Sequence, residues 1–79
     1  MRFLDGETNR RLSTLYLYLT PGEAEELIFY LQQLVADSND HHVHFEDNEY
    51  KHELTVTIYR EDNIHTYDER SRKLILDDE

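Results

Sequence analysis

The chain has no cysteine and no tryptophan, one proline and two glycines in 79 residues. Without cysteine it can form neither a disulfide nor a thiolate metal site, which fits a reducing, cytoplasmic setting. With two glycines, Gly6 and Gly22, it has no glycine-rich loop to cradle a phosphate. It has no apolar run long enough to span a bilayer, and no apolar stretch follows Met1 and Arg2, so neither a membrane span nor a secretory leader is expected. It is also short of cations. Eight Lys and Arg stand against eighteen acids, for a formal charge of −10. Phosphate contacts need a basic footprint, so direct nucleic-acid binding is not expected, nor is an anionic membrane surface. Complementary charge favours a basic protein partner, such as a toxin or a nucleic-acid-binding enzyme.

What is present suits one domain, residues 1–79, with a thin core; hydrophobic residues make up 38% of the chain. Phe3 and Leu4 read as a short edge strand, followed by turn chemistry in "DGETN". In "RLSTLYLYL", Leu15, Leu17 and Leu19 alternate with Thr14, Tyr16 and Tyr18. That period of two predicts a strand with its leucines toward the core. "TPGE" then reads as a helix start: Thr20 the N-cap, Pro21 the first helical residue, Glu23 the capping-box partner. Ala24, Leu27, Ile28, Leu31, Leu34 and Val35 form one helical stripe, and a helix is expected over about 21–36.

Two more strands are expected in "HHVHFED" and "HELTVTIYR", joined by a turn around Asn48–Lys51. Pairing Phe45 with Leu54 and Val43 with Val56 puts every apolar residue on one face, and a slip by one residue would spoil this. In the tail, Ile64, Tyr67, Ser71, Leu74 and Ile75 share a helical stripe that Asn63 could cap, with Arg70, Arg72 and Lys73 toward its C-terminal half. A short strand at "KLIL" competes for 72–76. The expected fold is α+β in two layers, order ββαββα. It has a four-stranded, mostly antiparallel sheet with the long helix and a short C-terminal helix on one face.

Three features are candidates for function. His42 and His44 share a strand face, a spacing able to chelate a metal, but only Glu53 stands opposite as a further ligand, so no metal or other cofactor is expected. His41 points the other way or lies in the turn. Tyr16, Tyr18 and Tyr59 would share the open sheet face with His42 and His44, and tyrosine is enriched at interfaces. Cross-strand pairing that merely stabilises the sheet is the plainer reading of that face. Phe29 falls on the polar side of the helix, near Glu25 and Glu26, where an exposed ring suggests a contact. Glu46 faces Glu53 across the hairpin. Yet no serine sits in a nucleophile context and a chain this short offers little pocket, so no catalysis is expected.

"YLYLTPGEAEELIFYLQQL", "HHVHF", "LTVTIY" and "ERSRKLIL" together resemble a set of short acidic bacterial proteins. In size and charge the chain is similar to immunity proteins of bacterial toxin systems. It is similar also to small phage-encoded inhibitors of host defence, anti-CRISPR proteins among them. The resemblance implies a protein that binds and blocks another, and brings no catalytic residue with it. The alternatives are a homo-oligomeric regulatory or housekeeping domain that buries the tyrosine face or Phe29 in a homodimer, and a histidine-linked metal or pH sensor.

Overall fold

The computed structural model describes residues 1–37, 42–47, 49 and 51–79. The chain is α+β, with strands β1 (Phe3–Leu4) and β2 (Arg11–Leu12), helix α1 (Pro21–Ala36), strands β3 (His42–Glu46) and β4 (Glu53–Thr57), a 3-10 turn at Ile64–Thr66, and helix α2 (Glu69–Asp77). It divides into two compact units, Met1–Leu17 with Arg60–Glu79, and Tyr18–Tyr59.

The unit Tyr18–Tyr59 is a helix on a hairpin. Thr20 Oγ1 accepts from the Glu23 amide at 3.2 Å, and Glu23 Oε1 accepts from the Thr20 amide at 2.9 Å, so the capping box closes as its sequence predicts. Thr20→Ala should cost about 1 kcal/mol by removing an acceptor from an orphan amide. An unchanged denaturation midpoint and slope would contradict this role. β3 and β4 pair antiparallel with Val43 opposite Val56 and Phe45 opposite Leu54, the expected register. α1 packs on β3, where the Tyr30 and Phe45 rings meet edge to face at 6.1 Å. Leu34 and Phe45 are the buried apolar residues of this unit among those described.

In the other unit, β1 pairs antiparallel with β2, Phe3 opposite Leu12. Asp5 Oδ1 accepts from the amides of Glu7 and Thr8, and Asn9 adopts a left-handed conformation (φ 61°) that asparagine tolerates. Those amide bonds hold the Asp5 carboxyl below its ordinary pKa. α2 is capped by Asp68, whose Oδ1 accepts from the Ser71 amide at 2.8 Å, and it buries Leu74. Arg2 Nε donates to the Leu74 carbonyl at 3.1 Å, and Arg11 binds Asp78 with two nitrogens at 3.0 and 3.2 Å. Asn63 organises the turn before α2. It is buried, and its Oδ1 accepts from the Arg60 amide at 2.6 Å.

Four expectations need correction. There is no four-stranded sheet; the described residues form two sheets of two strands. The second strand of the ββαββα order is Arg11–Leu12, whereas residues 14–19 form no strand, and Leu15 and Leu17 are 44% and 50% exposed. A period of two describes a strand only where a neighbour supplies its hydrogen bonds, and the short turn at Asp5–Asn9 sets that neighbour at Arg11–Leu12. Of the α1 stripe, Ile28, Leu31 and Val35 are exposed instead of buried. The apolar arc of α1 from Tyr30 round to Ile28 spans roughly 160°, wider than the face that packs on the hairpin. Finally, the tail is not one helix from Asn63. The Asp68 cap begins α2 later, placing Arg70 and Arg72 in its first half and Lys73 at its middle, and Asn63 makes no side-chain cap bond to the 3-10 turn. Residues 72–76 are helical, which decides against a strand at "KLIL".

Candidate functional site

The outer face of the hairpin is built by alternation. With Val43, Phe45, Leu54 and Val56 turned toward α1, their neighbours must face the other way. His42 stands opposite Thr57, His44 opposite Thr55, and Glu46 opposite Glu53. The two imidazoles lie edge to face with centroids 5.0 Å apart. His44 Nδ1 is 2.9 Å from Thr55 Oγ1 and 3.0 Å from Glu53 Oε1. When His44 is protonated its Nδ1–H donates to the Glu53 carboxylate, a bond between two exposed groups that solvent screens. Among the described residues, no group of three or more His, Asp and Glu is placed to hold a metal ion. His41 and the turn residue Asn48 lie outside the described residues.

At the turn end, Asp47 gathers three donors. Its Oδ1 accepts from the Lys51 and His52 amides at 2.8 and 3.3 Å, and its Oδ2 lies 2.6 Å from His52 Nδ1. The His52 bond lowers the Asp47 pKa, and the same bond raises that of His52, with smaller help from Glu49 and Glu23. A folded-state histidine pKa above 6.5 stabilises the fold below that pH, and the contribution is lost as pH rises through the raised value. The His52 ring should therefore titrate above its ordinary value when followed by NMR. Asp47→Asn should return it toward 6.5. Equal titration in both proteins would exclude the pair in solution. The sequence held this signal as an Asp and a His at the two ends of one turn.

The other candidate residues divide between the units. Tyr18 and Tyr59 belong with the hairpin, Tyr18 strongly exposed and Tyr59 two residues beyond β4, whereas Tyr16 belongs to the other unit. Tyr16 and Tyr18 lie in no strand, so they do not extend the histidine face as strand neighbours. Glu25 and Glu26 are exposed on α1, and Phe29 is 54% exposed with its ring edge to face with Tyr30 at 5.8 Å. Charge is divided more sharply than sequence order suggests. Tyr18–Tyr59 holds nine of the eighteen acids but only Lys51 among the eight cations, a formal charge of −8 against −2 for the rest. It also holds four of the five histidines.

One feature was not legible as a site. Ile28, Leu31, Gln32, Val35 and Ala36 line an open, apolar groove of about 400 Å³ along α1. The residues were visible as a stripe, but their spacing reads equally well as core. Comparison with protein-family models, curated proteins and solved structures found no match for the chain. Among the described residues, no helix is long and apolar enough to cross a membrane.

Proposed function

We propose that the protein is a non-catalytic inhibitor of the immunity or anti-defence type, which blocks a basic surface on another protein. The observation that carries this reading is the concentration of charge. The helix–hairpin unit carries −8 and exposes tyrosine and imidazole beside its acids. Such a surface accelerates encounter with a basic partner through charge and retains it through aromatic anchors. On this unit Tyr18 and Tyr59 are the anchors, His42 and His44 are exposed on the hairpin, Glu25 and Glu26 belong to the acidic rim, and Phe29 is the anchor on the helix side; Tyr16, in the other unit, is a further candidate anchor.

Affinity capture from the native host with the tagged chain tests this reading. The captured partner should be a protein with a basic binding surface. In a binding assay with that partner, Tyr16→Ala or Tyr59→Ala should cost roughly 2 kcal/mol, mainly through faster dissociation. Normal binding by both, with loss in Phe29→Ala, would move the interface to α1.

A further inference from the structure

We propose that residues 14–19 are a processing site, a segment suited to the cleft of an endopeptidase that selects large apolar side chains. They belong to no helix, strand or turn. Among the described residues, no backbone hydrogen bond reaches them. Other connections in the chain are tied by their backbones. The Asp5 amide donates to the Arg10 carbonyl at 2.9 Å, that of Asp47 to His52 at 3.2 Å, and that of Asn63 to Arg60 at 3.1 Å. Residues 14–19 are also open at their side chains: Leu15, Tyr16, Leu17 and Tyr18 are 44%, 79%, 50% and 87% exposed.

A peptidase cleft takes its substrate as an added strand, held by backbone hydrogen bonds and read by pockets for alternate side chains. A chain segment already paired must first lose its own bonds, and this one has none to lose. Its leucines alternate with tyrosines, so an extended form offers large apolar groups to both sides. It contains no proline, which would remove a backbone donor, and no charge, which an apolar pocket rejects.

Cleavage after Leu15, Tyr16, Leu17 or Tyr18 breaks one C–N bond. Water adds its hydroxyl to the carbonyl carbon and its proton to the nitrogen, leaving a carboxylate and an amine. The two pieces stay joined. Arg2 on the Leu74 carbonyl, Arg11 on Asp78, and Arg70 Nε on the Asn9 carbonyl at 3.0 Å tie the N-terminal piece to α2. Thr20 and its capping box lie beyond every candidate bond, so α1 keeps its start. The cut therefore severs the direct link from β2 to α1 and leaves the elements on either side intact.

Limited digestion of the full chain with chymotrypsin, followed by intact mass, provides the test. No basic partner is needed, so this site and the proposed inhibition fail separately. The first cut should fall after one of residues 15–18, on the order of 10-fold or more ahead of any other. Its rate should be the same in Leu34→Ala, because the segment is open without unfolding, whereas later cuts in the helix–hairpin unit should speed up. An acid-selective endopeptidase should give no early cut, although the chain offers it eighteen acids, since none lies in residues 14–19. A first chymotryptic cut elsewhere would overturn the proposal. So would a rate at residues 15–18 that rises in Leu34→Ala as much as the others, or acid-selective cleavage that is equally early.

Discussion

Leu34→Ala is expected to destabilise the helix–hairpin unit by about 3 kcal/mol, most of the stability a chain of this size can hold. Leu34 is fully buried, and Phe45 is the other buried apolar residue of its unit among those described. Neither element stands well alone. A helix of 16 residues is marginal in water, and so is a two-stranded hairpin. Each is held by the face it shares with the other, so a cavity there loosens both. Far-UV circular dichroism should show a melting midpoint lowered by roughly 10 °C or more. Val35→Ala, one position along but 71% exposed, should change stability by no more than about 0.5 kcal/mol. Equal losses in the two variants would mean that α1 is seated differently on the hairpin.

Asn63→Ala is expected to be the most damaging single change in the other unit, at roughly 2 kcal/mol. Asn63 is buried and polar, and its side-chain oxygen binds the Arg60 amide at 2.6 Å. Its own carbonyl accepts from the Thr66 amide at 3.0 Å and from Thr66 Oγ1 at 2.6 Å. Alanine leaves the Arg60 amide without that acceptor and keeps the backbone bonds. The loss should therefore appear as faster exchange of the Arg60 amide as well as a lower midpoint. Asn63→Asp keeps an acceptor oxygen but buries a charge. If alanine is tolerated as well as any surface change, the turn is held by its backbone alone.

The parts of this fold that were legible from sequence are those decided locally. "TPGE" specifies its own capping box through residues three apart, and α1 begins and ends where expected. The hairpin register followed from alternation, because one arrangement of Val43, Phe45, Leu54 and Val56 puts them all on one face. Residues 14–19 failed because alternation states which faces a strand would have, not whether a neighbour exists. The α1 stripe failed with it: a four-stranded sheet would cover the whole arc, and the hairpin covers one side. The tail was misread by taking Asn63 as a helix cap and passing over Asp68 with Ser71 three residues on. For the site, the histidine face and exposed Phe29 were legible, whereas the groove was not, since exposed and buried leucines look alike in sequence.

Acidity leaves a mark on stability too. The carboxyls of Asp5, Asp47, Asp68 and Asp78 all sit below their ordinary value of 3.8, held there by amide, hydroxyl, imidazole or guanidinium donors. Groups lowered in this way contribute stability above 3.8 that is lost as pH falls through the lowered values. The same donors cap α2, close both hairpin turns and tie Arg11 to the end of α2, so acid should loosen turns and helix ends before the apolar contacts.

The central claim is that the helix–hairpin unit meets a basic partner through its charge. The most direct test is the association rate with the captured partner, followed by stopped flow as salt is raised. The rate should fall steeply with ionic strength while dissociation changes little, and Glu25→Gln with Glu26→Gln should flatten the dependence. An association rate indifferent to salt, or one that rises with it, would contradict the claim.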